Sequence, residues 1–224
     1  MVEAIYLPKL NNLTPTLDST LLKAMEEAGE LARAVLKFMP WEKLSPEELA
    51  NQPLASGLLA DVKEELLDVA QTCVTMIFVM EDYFVIDADS LIGEHLAKLL
   101  DKGYAYDNNQ SYRITTIQNR HGGNYKYISL PHLQIADVTL LTTVCKIQEE
   151  LGELTQFLGK HAGASGEQNC LAADEVNKGA ALELLDVAQC CFTMIYILAE
   201  RYAVNIPELV EGHVNKLRRK GYCQ

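Results

Sequence analysis

The stretch ELLDVAQTCVTMI at residues 65–77 recurs as ELLDVAQCCFTMI at residues 183–195, with 11 of 13 positions identical. Wound at 3.6 residues per turn, each copy is apolar on nearly every face. A helix that is apolar all round is usually buried in a bundle. The two stretches therefore predict long central helices over 61–84 and 180–202, in an all-α fold.

The sequence on either side of this stretch is repeated as well. Over the two alignable blocks, 31 of 72 positions are identical, far more than chance allows. The matching pairs are LPKL at 7–10 with LPHL at 130–133, EEAGEL at 26–31 with EELGEL at 149–154, and HLAKLLDKGY at 95–104 with HVNKLRRKGY at 213–222. We predict two repeats, residues 1–104 and 127–224, joined by a linker over 105–126.

Further helices follow from periodicity and capping signals. Ser45 and Glu48 form a capping-box pair, and Gly103 and Gly221 stand where a left-handed residue commonly ends a helix. The predicted helices cover 17–38, 46–51, 90–101, 140–161 and 207–220. The linker has a short extended piece at 113–117, but the sequence shows no convincing pair of strands.

Composition excludes several classes of protein. The 224 residues carry a formal net charge of −12 and are 49% hydrophobic, which argues for a packed core and against binding a nucleic-acid polymer. The most apolar run, residues 69–80, is far shorter than the ~20 residues of a membrane helix. The six cysteines form no CxxC pair, which indicates free thiols in a reducing, cytoplasmic compartment.

Acidic residues recur in one pattern in both repeats. Two acids three residues apart share a helix face, and the second such pair interrupts an otherwise apolar helix. Burying these carboxylates together is costly unless protons or cations neutralise them. Because the spacing places no basic partner on these helices, we expect a divalent metal, and all-oxygen ligands favour Mg²⁺, with Mn²⁺ as an alternative. Each set is hereafter called a quartet: Glu27, Glu30, Glu65 and Asp68 form the first, and Glu150, Glu153, Glu183 and Asp186 the second.

A ferritin-like di-iron site is the nearest alternative to this reading. That site needs Glu-x-x-His pairs, and no histidine follows any quartet residue by three positions.

The order EExxE followed by ExxD on the next long helix resembles the MazG-type all-α nucleoside triphosphate pyrophosphohydrolases. The resemblance covers residues 7–104 and 130–222. It implies tandem MazG-like repeats that pack as a four-helix-bundle-type pseudo-dimer. The implied reaction is Mg²⁺-dependent hydrolysis of a nucleoside triphosphate to monophosphate and pyrophosphate, with water attacking the α-phosphorus and the quartets acting as metal-binding and catalytic residues. The family's subunit association also makes a homodimer of the tandem chain an expectation.

Two alternatives to this activity stay open. One is a nucleotide sensor that binds without turnover, and the other is phosphoribosyl-ATP pyrophosphohydrolase, which shares the quartet.

The closing helices of the two repeats differ in charge. The resemblance implies that Asn215, Lys216 and Arg219 of the second repeat bind the phosphates of the substrate. Of the equivalent positions in the first repeat, only Lys98 has the same residue type. The sequence does not show whether a site is built within one repeat or across both. On this difference we expect Glu183→Gln to abolish turnover and Glu65→Gln to leave much of it.

Two aromatic residues lie near the long loop of the first repeat. Phe38 and Trp41 could stack on a base, but apolar residues at such positions more often close the end of a bundle, and we favour that role.

Overall fold

The computed structural model describes residues 4–84, 86–107, 110–118, 124–163 and 172–223. The described chain is mostly helical. Its α-helices are α1 (Leu17–Phe38), α2 (Pro46–Ala50), α3 (Pro53–Tyr83), α4 (Ala88–Asp101), α5 (Leu140–Ala162), α6 (Ala173–Tyr202) and α7 (Ile206–Arg219). A 3-10 turn spans Met39–Trp41, and the strands are β1 (Leu7–Pro8), β2 (Thr115–Gln118) and β3 (Asn124–Ile128).

The helix predictions are confirmed in position, and so are their end signals. The Ser45–Glu48 capping box begins α2, and Gly103 and Gly221 take positive φ angles of 83° and 79° after α4 and α7. The two central helices begin earlier than predicted, at Pro53 and Ala173. Proline is tolerated in the first turn of a helix, so residues 53–60, which precede the predicted helix, form the first turns of α3.

The four long helices, α1, α3, α5 and α6, pack into one bundle. The central helices α3 and α6 lie against each other, α1 packs on α3, α5 packs on α6, and α1 meets α5. Thr143 contacts Met194 at one end of the α5–α6 pair, and Phe157 faces Gly179 at the other. These contacts make α5 and α6 antiparallel.

The closing helices cross to the opposite repeat. Helix α4 belongs to the first repeat and packs mainly on α6, while α7 belongs to the second repeat and packs mainly on α3. Each repeat therefore lays its last helix on the central helix of the other.

The expectation of no strand pair is wrong. β3 is the middle strand of a three-stranded antiparallel sheet, with β1 on one side and β2 on the other. Leu7 pairs with Ile128, and Thr115 pairs with Tyr127. The predicted extended piece at 113–117 overlaps β2. The strands have two to five residues and come from distant parts of the chain, so no local hairpin signal announces them.

The repeated Leu-Pro motifs have the same role in both halves. The amide of Gln71 donates to the carbonyl of Pro8 at 2.9 Å, and that of Gln189 donates to Pro131 at 2.7 Å. Both glutamines are buried, so these bonds satisfy polar groups inside the core and fix the segment that precedes each first long helix.

Burial explains the apolar composition of α6. The helix is long and apolar enough to cross a membrane, but 83% of its apolar window is buried inside the bundle. Phe38 is fully buried and packs edge-on against Tyr202 at 5.8 Å, which confirms its packing role; Trp41 packs against the same core.

The cysteines within the described residues are free. Cys170 lies outside those residues, and the cellular location stays a prediction.

Candidate functional site

The first quartet lies where α1 faces α3. Glu27, Glu30 and Glu65 each offer a carboxylate oxygen, and these oxygens lie within 4.8 Å of one another. Glu27 is buried and the other two are half-buried. Asp68, the fourth predicted member, lies outside this group of three and contacts Lys216 of α7.

The second quartet lies where α5 faces α6. Glu150, Glu183 and Asp186 offer oxygens within 4.8 Å of one another, and all three are buried. Glu153 is exposed and lies outside this group, although its charge still acts on Glu183. Asp186 contacts Lys98 of α4.

Each site is therefore assembled from both repeats. Lys216 of the second repeat reaches Asp68 of the first, and Lys98 of the first repeat reaches Asp186 of the second. The sequence leaves open how a site is built, and in the structure the closing helix of each repeat contacts the quartet of the other.

This geometry contradicts the premise of the expected ranking of the two sites, although their relative activity stays a prediction. That ranking set the basic residues of the second closing helix beside the second quartet, but Lys216 contacts the first. The charge argument now favours the first quartet. Asn215 and Arg219 lie exposed on the same helix, and Asn215 accepts a hydrogen bond from Arg218 at 3.0 Å.

Burial, together with neighbouring negative charges, raises the pKa of one glutamate in each site. Burial, reinforced by Glu30, Asp68 and Glu27, raises the pKa of Glu65 to about 7. Burial likewise raises the pKa of Glu183 to about 8: Lys98 opposes the rise, and the neighbouring acids add to it. Such shifts mark carboxylates held together without enough positive charge.

One oxygen of Glu183 fits a role of the second quartet as a cation site. Its Oε2 is buried and has no hydrogen-bond partner. An unpaired buried carboxylate oxygen is costly, and a bound divalent ion beside Glu150 and Asp186 would satisfy it. The donor set is all oxygen, which suits Mg²⁺ or Mn²⁺.

A pair of lysines that sequence analysis missed flanks the sites. Lys23 lies 2.6 Å from Glu27, and Lys146 lies 2.6 Å from Glu150. Both precede their glutamate by four residues on the same helix. The repeated Lys-x-x-Glu-Glu spacing was the signal that could have revealed them.

Two buried histidines lie behind the aspartates. Nδ1 of His95 lies 3.1 Å from Asp186, and Nδ1 of His213 lies 3.6 Å from Asp68. Burial lowers the pKa of His213 to about 4, so that imidazole is neutral at pH 7. Burial alone would raise the pKa of Asp186, but its contacts with His95 and Lys98 outweigh burial and lower it.

A cavity of about 290 Å³ adjoins the second quartet. Glu150 and Asp186 line one side of it, and the wall also includes the apolar side chains of Leu99, Leu133, Ile135 and Val138. An apolar cavity beside clustered carboxylates has the composition of a small-molecule site.

No family model, curated protein or solved structure matches this chain. The reading of the two quartets therefore rests on their residues and geometry.

Proposed function

We propose that the protein is a Mg²⁺-dependent nucleoside triphosphate pyrophosphohydrolase that converts a nucleotide to its monophosphate and pyrophosphate. The observation that carries the proposal is the paired arrangement of the quartets. Each presents three clustered carboxylates, and in each an aspartate contacts a lysine from the opposite repeat. Burying carboxylates together is costly unless protons or cations neutralise them, and both repeats keep this arrangement.

The quartet residues would hold the metal. Bound Mg²⁺ supplies positive charge for the triphosphate and lowers the pKa of a bound water. Glu150, Glu183 and Asp186 would hold it in the second site, and Glu27, Glu30 and Glu65 in the first.

The chain's own groups would bind the triphosphate and move the proton. Lys98 and Lys216 are half-buried, and their pKa values are raised because hydrogen bonds and charge contacts with the aspartates outweigh burial, so both stay cationic. Each would bind a phosphate oxygen. Glu153 is exposed and outside the cluster of three, so it is the glutamate most available to accept a proton from the attacking water.

We further propose that the repeats are MazG-like and form a covalent pseudo-dimer. Support comes from the equivalent contacts in the two halves, Gln71 with Pro8 and Gln189 with Pro131, and from the exchange of α4 and α7. Fusing two copies raises their effective concentration for each other, so the bundle forms without a second chain.

Within this proposal the first quartet is the more active. Helix α7 brings Arg219 where α4 has Asp101, and an acid near the phosphates would oppose binding of a polyanion. We therefore expect Glu65→Gln to cost more activity than Glu183→Gln.

The direct test is release of pyrophosphate and monophosphate from a panel of NTPs and dNTPs, with phosphoribosyl-ATP included, in Mg²⁺ and in EDTA. The proposal predicts stoichiometric, Mg²⁺-dependent products. Turnover of phosphoribosyl-ATP alone would indicate the narrower activity. Mg²⁺-dependent binding without product would indicate a nucleotide sensor and would contradict the proposal.

A further inference from the structure

Helix α1 carries an apolar stripe on the side that faces away from the bundle. Three large side chains of this stripe are exposed, Leu22 by 69%, Met25 by 51% and Leu36 by 65%, and the stripe continues into the 3-10 turn with Met39, which is 37% exposed. With Gly29 and Ala32 between them, the stripe has alternating spacings of three and four residues. This is the spacing of the contact positions in a coiled coil.

The second repeat provides an internal comparison. Helix α5 occupies the equivalent place in the bundle, and its equivalent positions are small or polar: Cys145, Gln148, Gly152, Thr155, Gly159 and Ala162. The bundle therefore does not require apolar residues on this side of a first long helix. The stripe on α1 needs another explanation, and an apolar helix face of this kind is a surface for a partner.

The charges beside the stripe point to a second copy of the same helix. Glu26 and Arg33 lie seven residues apart along one flank, and their side chains are 59% and 67% exposed. In an antiparallel pair, this flank of one helix meets the same flank of the other. Glu26 of each copy would then lie beside Arg33 of the other copy, which gives two ion pairs. A parallel pair would set the flank against Leu21 and Ala28, which offer no charge.

The sizes of the side chains fit the antiparallel register. With the two-fold axis between Gly29 and Ala32, Leu22 faces Met39 of the second copy, and Met25 faces Leu36. The large residues meet large ones near the ends, and the small residues meet at the centre, where the helices can approach closely.

We propose that two copies of this chain associate through α1 as an antiparallel, two-fold symmetric helix pair. The stripe is about 26 Å long at 1.5 Å per residue. A single helix face of that length is smaller than a standard protein interface. We therefore expect a dissociation constant in the micromolar range, roughly 1–10 µM. This proposal does not depend on the proposed enzymatic activity.

Sedimentation velocity of the full chain over a concentration series tests this directly. The wild type is expected to shift with concentration from 24.9 kDa to twice that mass. Met25→Glu should weaken the dimer by about 100-fold or more, because it buries two like charges in the interface. The matched control is Gln148→Glu at the equivalent position of α5, which should leave the dimer unchanged. Circular dichroism and thermal melts show that each variant is folded.

A charge swap tests the orientation. Glu26→Arg alone should weaken the dimer, because it sets two positive charges side by side, and the double variant Glu26→Arg/Arg33→Glu should restore it. A wild type that stays monomeric at about 100 µM, well above the expected dissociation constant, would overturn the proposal. So would a dimer that Met25→Glu leaves intact, or one that Gln148→Glu disrupts equally, since either result would place the interface elsewhere.

Discussion

Replacing Glu183 with glutamine should make the metal-free protein more stable at alkaline pH. Glu183 has a buried oxygen without a hydrogen-bond partner, and burial among other acids raises its pKa from 4.5 to about 8. A carboxylate with a purely structural role would behave in the opposite way, because losing its charge would remove a favourable contact.

The sign follows from proton binding. Below pH 4.5, Glu183 is protonated in both the folded and the unfolded chain and contributes no pH dependence. Between pH 4.5 and about 8, the unfolded chain releases the proton while the folded chain keeps it, so the free energy of unfolding falls as pH rises. Above about pH 8 the loss is complete.

The size of the effect follows from the same pKa values. The difference between 4.5 and about 8 corresponds to about 5 kcal/mol as an upper limit. Solvent screens part of this, so we expect about 2 kcal/mol. For a chain of this length, that is a rise in Tm of about 4–8 °C at pH 8.

Thermal denaturation in EDTA and in Mg²⁺, at pH 5 and pH 8, measures this effect. Glu183→Gln should match the wild type at pH 5 and exceed it at pH 8 in EDTA. At pH 8, Mg²⁺ should raise the Tm of the wild type more than that of the variant. Glu149 is an exposed acid on the neighbouring helix, and Glu149→Gln is the control. It should change neither the Tm in EDTA nor the rise in Tm that Mg²⁺ causes. A variant that is less stable than the wild type at pH 8 in EDTA would refute the reasoning.

Two further predictions concern packing and can be read from thermal or urea denaturation. Gln189→Leu removes the buried bond to the carbonyl of Pro131 and should destabilise the fold by about 1–3 kcal/mol; an unchanged midpoint would show that the bond contributes little. Gly179→Ala would place a methyl group 2.4 Å from the ring of Phe157 and should cost about 1–2 kcal/mol. Gly152→Ala meets nothing within 4 Å, so it should be neutral or slightly stabilising, and equal losses in both glycine variants would contradict the packing described.

Most of the helical architecture could be predicted from sequence because it depends on local signals. The apolar stretches at 65–77 and 183–195 marked the central helices, and the capping box at Ser45 marked the start of α2. The acidic residues could be found because their spacing places them on one helix face, and the repeat showed them twice. These features are periodic, and periodicity is what a single sequence records well.

The exchange of the closing helices could not be predicted in the same way. Lys216 is closer in sequence to Asp186 than to Asp68, yet it contacts Asp68. The direction that α7 takes depends on the short turn after α6, where Ala203 has a left-handed φ of 53°. No composition signal marks an alanine for that conformation. The error about the strands has a similar origin, since their pairing is entirely non-local.

The central claim is that each site combines the carboxylates of one repeat with the closing helix of the other, and a double-mutant cycle on pyrophosphate release tests it most directly. The variants are Glu65→Gln, Lys216→Ala, Glu183→Gln and Lys98→Ala, alone and in pairs. The effects of substitutions within one site should be non-additive. Adding Lys216→Ala to Glu65→Gln should therefore reduce pyrophosphate release little further, and so should adding Lys98→Ala to Glu183→Gln. If Lys216→Ala is instead non-additive with Glu183→Gln and independent of Glu65→Gln, the sites are built within the repeats and the account is wrong.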